Sequence, residues 1–338
     1  MKFGPVAISA AEGGILAHSL RTENLSLKKG ERLTRAHVEI LQAAGFVDVV
    51  VAQLEDGDMT EDEAAARVAA AISGPNVRVD AAFTGRANLF AQCNGVLVAE
   101  PALVDALNEV DEQVTLATLP HHRAVVNGEM IGTVKVIPFA VAEKTVARAI
   151  AAFPAKSMSI APYLPKRIAV ISTLLPGLKS ATVEKTLRVM SERIAPANAR
   201  IVADERVAHE QGALAAAIKH HLADCDLMIV FGASAITDRR DVIPAALQEA
   251  GGTIEQFGMP VDPGNLLLIG QIGGKAFLGA PGCARSPKEN GFDWVLQRML
   301  ADIPVTAADI RRMGSGGLLM EIVTRPQPRS GEASHGED

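Results

Sequence analysis

Between residues 166 and 304, short apolar runs alternate with stretches of helical period, and no other feature of the chain restricts its fold so tightly. Residues 168–172 form an apolar run fit for a buried strand, and residues 182–195 place Val183, Leu187, Met190 and Ile194 on one helical face. The pattern recurs. Residues 200–203 read as a second strand, 207–222 as a second helix, and 227–231 as a third strand that stops at Gly232. A helix over 241–250 closes on Gly251 and Gly252, the usual residue type just past a helix C-terminus. Residues 266–269 and 276–278, separated by Gly270, Gly273 and Gly274, read as a hairpin, and a last helix over 292–301 ends before Pro304. Alternation at this spacing predicts an α/β domain: a mostly parallel sheet with helices on both faces.

Two prolines within residues 155–166 follow a helical pattern at 142–153, which sets a domain boundary there and leaves residues 1–155 as a separate, smaller region. That region reads as α+β or α/β. Its strands are expected at 47–52, 77–82, 95–99, 114–117 and 132–137 and its helices at 35–44, 61–72 and 102–108, with Thr60 and Glu63 as a capping box. The tail 325–338, rich in Pro, Gly, Ser and charge, is expected to be disordered. A formal charge of -6 and 4% aromatic residues argue against a nucleic-acid surface. Three widely spaced cysteines argue against disulfides and a zinc site, and the absence of a signal pattern or a long apolar run suggests a cytoplasmic protein.

In open parallel sheets ligands sit at the carboxyl ends of the strands, so the loops there carry the functional argument. The first, 172–182, offers Ser172 and Thr173, then Gly177 and Lys179 before a helix N-terminus, where free N–H groups and the dipole favour an anion. The second holds Asp204 and Glu205. The third, 231–244, has the small residues Gly232, Ala233 and Ser234 that let backbone approach a phosphate closely, then Thr237, Arg239, Arg240 and Asp241. Its bland alternative is an Asp241 cap, solvated arginines and glycines that merely permit turns. Pro263-Gly264 and Pro281-Gly282 complete an order more specific than any one piece: a strand ending in Gly-small-Ser, an Asp-Val helix, a Gly-Gly stop, a Pro-Gly turn, a hairpin, and a strand ending in Pro-Gly.

In that order the chain resembles the molybdopterin-binding fold of molybdopterin adenylyltransferases and molybdotransferases over roughly residues 166–304. Residues 236–242, ITDRRDV, look like the adenylyltransferase stretch ending in Arg-Asp-Val, and residues 13–52 look like the opening segment of the molybdotransferases. The resemblance implies a molybdopterin ligand or substrate held by Ser172, Thr173, Gly232, Ala233, Ser234, Thr237, Arg240, Pro263, Gly264, Pro281, Gly282 and Arg285. It also implies Asp204 and Asp241 as catalytic acids and as candidate ligands of Mg²⁺, which phosphoryl chemistry needs to neutralise developing charge.

The departures are specific. After the first strand the family's Gly-Asp-Glu turn is replaced by STLLPGLKS, and its Leu-Pro-Gly-Asn-Pro by Ala280-Pro281-Gly282-Cys283-Ala284. The leading expectation is therefore a protein of molybdenum cofactor biosynthesis acting at the pterin phosphate by adenylyl or molybdate transfer. The alternatives are a non-catalytic carrier that hands cofactor to a nucleotidyltransferase or molybdoenzyme, and an unrelated nucleotide-phosphate-binding enzyme. By resemblance a homo-oligomer, a dimer, is expected, with no nucleic-acid or membrane partner. Lys288 and the stretch Gly85-Arg86-Ala87-Asn88 are secondary candidates, the latter reaching the same cleft from a neighbouring domain or subunit. The pairs His121-His122 and His220-His221 read as solvated or capping groups, and Cys283 as a small filler.

Overall fold

The computed structural model describes residues 1–177 and 180–319. Lys179 and the tail from Arg325 lie outside the described residues. The chain divides into two compact units, Met1–Pro162 and Tyr163–Asp338. Among the described residues no helix is long and apolar enough to cross a membrane.

The first unit begins with a small module in which strands Lys2–Ala7, Asp48–Gln53 and Ile15–Leu16 pair antiparallel. Helix Arg35–Ala43 closes a cluster of its own there, including Leu16, Leu33, Leu41 and Val51. The rest of the unit is built on a four-stranded antiparallel sheet ordered Val114–Thr118, Met130–Val136, Arg86–Ala91, Val77–Val79. Helices Glu61–Ile72 and Glu143–Ala152 lend Ala64, Val68, Ile72, Val146 and Ala149 to the core beneath Leu89 and Val134. The Thr60–Glu63 capping box forms as the spacing predicts. Arg86, Ala87 and Asn88 belong to a strand, in which Ala87, Leu89 and Ala91 alternate into that core. Gly85, with φ of +70°, turns into the strand and donates its N–H to Asp62 Oδ1 at 2.6 Å.

The second unit carries the predicted alternation. Its elements are β1 (Arg167–Leu174), α1 (Ser180–Ile194), β2 (Arg200–Ala208), α2 (Gln211–His221), β3 (Leu227–Phe231), α3 (Val242–Glu249), β4 (Thr253–Phe257), β5 (Leu268–Ile272), β6 (Lys275–Ala280), α4 (Gly291–Leu300) and α5 (Ala307–Arg312). Six strands form one sheet in the order β2-β1-β3-β6-β5-β4. β2, β1, β3 and β6 run parallel, and β5 is reversed between β6 and β4. Gly273 and Gly274, both at positive φ, make the tight turn that joins β5 to β6.

Alternate residues of the central strands feed two separate cores, as a sheet covered on both faces requires. Ile168, Val170, Ile229 and Phe231 pack with Met190 and Ile194 of α1 and Phe292 and Val295 of α4. Ala169, Ile171, Met228 and Val230 pack with Leu214 and Ile218 of α2 and Ile243 and Leu247 of α3. At about 1.5–3 kcal/mol for each fully buried aliphatic or aromatic side chain, these two layers hold the strand ends in register.

The sequence reading ended the second strand at residue 203, whereas β2 continues to Ala208. Its continuation, Asp204-Glu205-Arg206-Val207, alternates between exposed and half-buried positions while pairing in register with Val170 through Thr173. Charged residues are tolerated there because β2 is an edge strand with one side open to water. That continuation matters for the site.

Candidate functional site

The carboxyl ends of β3 and β6 are level, Phe231 beside Ala280, and Ser172 of β1 stands beside Phe231, with β1 and β2 running two residues farther to Leu174 and Ala208. Each of these strands, and β2, is followed by a helix, so the N-termini of α1, α2, α3 and α4 all face this edge of the sheet. Each brings the positive end of a helix dipole, although the first N–H groups of α3 and α4 are already taken by Asp241, the Pro263 carbonyl and Asn290. The edge favours an anion before any side chain is considered.

Thr173, fully buried at the end of β1, ties two of the loops together. Its Oγ1 accepts the Ala233 N–H at 2.8 Å and lies 2.8 Å from His209 Nδ1, just beyond β2. His209 was missed in the sequence because a single histidine between a strand and a helix has no spacing partner; only its position at a strand end would have singled it out. The turn after β3 is tight at Gly232, where a Cβ would meet the Ser234 carbonyl at 2.5 Å. Ile236, 3% exposed, anchors the same loop against Gly279.

Farther along this loop the bland reading describes the contacts well. Asp241 is the N-cap of α3: Oδ1 accepts the Val242 N–H at 2.7 Å and Oδ2 the Thr237 N–H at 3.1 Å. Arg240 is exposed and pairs with Asp238 at 2.8 Å, whose carboxyl that guanidinium holds down to about 2. Ser234 and Thr237 are exposed.

Arg285 is different. It sits half-buried in the 3₁₀ turn Gly282–Arg285 after β6, and its guanidinium lies 5.3 Å from the centre of the Phe231 ring. Nη1 donates to Thr186 Oγ1 of α1 at 2.8 Å and Nη2 to the Gly232 carbonyl at 2.9 Å. Among the described residues no carboxylate pairs with it, and burial lowers its pKa. Two turns along α1 from Thr186, Arg193 grips the same segment by donating to the carbonyls of Ala284 and Ser286, and Asp293 compensates its charge. Cys283 lies inside this turn, and Lys288 is exposed just after it.

Pro281 accepts the Ala284 N–H and opens the turn, while Gly282 is exposed. Pro263 and Gly264 are buried against the start of α4, where the Pro263 carbonyl accepts the Gly291 N–H at 2.8 Å. A Cβ at Gly264, whose φ is +144°, would stand 2.9 Å from Gly291 N and Cα. The structure thus gathers Ser172, Thr173, Gly232, Ala233, Pro281, Gly282 and Arg285 at one edge, with Ser234, Thr237, Arg240 and Asp241 on the adjoining loop.

Asp204 does not join them. It is in register with Val170, three residues of strand short of the Thr173–Val207 level, or about 10 Å below the strand ends. Its face is that of α1, and Arg206 donates to it at 3.3 Å, whereas Asp241 caps a helix in the opposite layer. The two acids thus lie in opposite layers of the sheet, whereas carboxylates that share one ion place oxygens a little over 2 Å from it. Among the described residues no group of three or more His, Cys, Asp or Glu gathers to hold a metal. Glu205 faces the other layer and pairs with His221 at 2.6 Å. His121 accepts the Ala99 N–H through Nδ1 at 3.2 Å, in the first unit.

A family model described as a domain of unknown function, DUF8806, matches residues 5–53. No curated protein matches the chain. Among solved structures the chain is similar to the molybdopterin biosynthesis moea protein from Pyrococcus horikosii, with 14% identity, 89% of this chain and 75% of that one covered, and a TM-score of 0.32. It is similar also to the protein CinA with unknown function from Thermoplasma acidophilum, with 19% identity, 41% and 99% covered, and a TM-score of 0.29. A molybdenum cofactor biosynthesis protein from Pyrococcus furiosus is similar at 10% identity, with 89% and 64% covered and a TM-score of 0.26.

Proposed function

We propose that the strand-end edge of the second unit binds a molybdopterin through its phosphate, and that the chain serves molybdenum cofactor biosynthesis as a cofactor-binding and carrying protein. The observation that carries this reading is the level alignment of Ser172, Phe231 and Ala280, which brings the loops of the resembling motifs to one edge faced by four helix N-termini. Carriage is favoured over adenylyl or molybdate transfer by the placement of the two acids. Asp204 lies well below the edge, and both Asp241 oxygens accept backbone N–H groups. A residual transferase activity would have to work without a carboxylate pair on one metal ion.

The test is binding of molybdopterin and of its adenylylated form by the full chain, with Mg²⁺ and ATP or molybdate present and product followed. Binding without turnover is expected, unchanged in Asp204→Asn. Turnover abolished in Asp241→Asn would make the protein a transferase instead. Binding of nucleotide without pterin would replace the reading with a nucleotide-binding enzyme.

A further inference from the structure

The opposite edge of the same sheet, where β1, β3 and β6 begin, holds a cavity of about 520 Å³ within the second unit, lined by none of the strand-end residues. Its floor is apolar. Leu227 of β3, Ile269 of β5 and Val305 are buried there, and Met299 in the last turn of α4 is half-buried. Its mouth is polar and exposed, with Glu255, Asp302 and Thr306. A dry cavity of about 150 Å³ accepts benzene, so this one has room for a larger apolar body and falls in the size range of ordinary ligand sites.

The charged groups of the lining decide the sign of what it takes. Two lysines stand among three carboxylates. Lys166 pairs with Asp302, and Lys275 donates to the Leu222 and Ala223 carbonyls just past α2. Asp226 accepts from Arg167 Nε, Nη2 and the backbone N–H. Of the charged lining groups, only Glu255 has no ion pair and no side-chain hydrogen bond among the described residues. It occupies the β-bulge of β4, between Ile254 opposite Gly270 and Gln256 opposite Ile269, and so stands beside the cavity floor. α4 ends at the same cavity and brings the negative end of its dipole.

We propose that this cavity binds a small organic cation, a protonated amine carried on an apolar body, with the apolar part on Leu227, Ile269 and Met299 and the ammonium at Glu255. An anion is disfavoured, because both lysines are already engaged and it would face Glu255 and the helix end. A neutral ligand would leave the one unpaired charge of the lining unused. The site shares no residue with the strand-end edge and stands or falls separately from the pterin reading.

The experiment titrates phenethylamine into the full chain, beside phenethyl alcohol and hydrocinnamate, which keep the ring and replace the ammonium by a neutral group and by a carboxylate. Binding is followed by calorimetry and by ligand-observed NMR. The amine is expected to bind about 3- to 5-fold more tightly than the alcohol, and hydrocinnamate more weakly than either. Raising the ionic strength from about 0.1 M to about 1 M, which shortens the screening length from about 10 Å to about 3 Å, should bring the amine to the level of the alcohol. Glu255→Gln, a change at an exposed position, should do the same at low salt and leave the alcohol unaffected. Met299→Trp, which fills the floor, should abolish binding of all three in a protein that still melts cooperatively. The proposal is overturned by tighter binding of hydrocinnamate than of the amine, by amine binding that is indifferent to Glu255→Gln and salt, or by amine binding that survives Met299→Trp. Absence of binding by the wild type at about 10 mM amine, a concentration at which fragments of this size register, would overturn it as well.

Discussion

Thr173→Val removes one hydroxyl and keeps nearly the same volume, so its effect isolates the hydrogen bonds that join the strand-end loops. Thr173 is 0% exposed, and its Oγ1 serves two partners, the Ala233 N–H and His209 Nδ1, each at 2.8 Å. Valine leaves both without that partner in a place water reaches poorly. The cost of one unsatisfied buried group is about 1–3 kcal/mol, and the half-exposed position of Ala233 and His209 lets solvent recover part of the second. With a urea m-value of about 3 kcal/mol/M, the midpoint of the second unit should fall by about 0.3–1 M. Amide exchange at Ala233 should accelerate while that of Ile229 in β3 changes only with global stability, and Thr173→Ser should restore both readouts. A midpoint unchanged within about 0.2 M, with Ala233 exchange unaltered, would refute the claim that this hydroxyl holds the glycine-rich turn in place.

Burial pushes the phenol of Tyr163, the single tyrosine, up to about 12. The unfolded chain ionises near 10, so stability is full below that pH and is lost as pH rises from about 10 to 12, which tyrosinate absorbance measured beside urea titrations would follow. An absorbance midpoint near 10 in the folded protein would refute this. Gly264→Ala forces a Cβ to within 2.9 Å of the Gly291 backbone at a φ of +144°, and should lower unfolding stability by at least about 2 kcal/mol in chemical denaturation. Asp241→Ala should cost about 1 kcal/mol through loss of the α3 cap, while Asp204→Asn should change stability by less than about 0.5 kcal/mol; equal effects would contradict their different settings.

The α/β alternation was legible because β1, β3 and β6 are apolar on both faces and their helices show a single stripe. The end of β2 was not, because an edge strand alternates charge with apolar residues and its acids read as a loop. That misreading moved Asp204 to the strand-end edge, and only the register with Val170 removes it. Loop composition marked Arg285 as a cation, but its lack of a carboxylate partner is a property of three segments, α1, the β3 turn and the β6 turn, meeting in space. The Ser172 hydroxyl, buried and without a hydrogen-bond partner among the described residues, is invisible in sequence for the same reason. In the first unit the strand Arg86–Ala91 escaped notice because Gly85 precedes it and it opens with Arg-Ala-Asn, so the stretch lacks an apolar start.

Thr186 and Arg193 stand two turns apart on α1, and both hold the segment that carries Arg285. A helix thereby acts as a splint for a loop, and the entropy of arranging that loop is lost during folding rather than at the moment of binding. An anion meeting Arg285 finds a largely preorganised partner, so the ordering cost of ligand capture falls mainly on the exposed residues 237–240 of the opposite lip. Slow exchange on one side of the bound group and ligand-dependent exchange on the other would be the signature of such an asymmetric clasp.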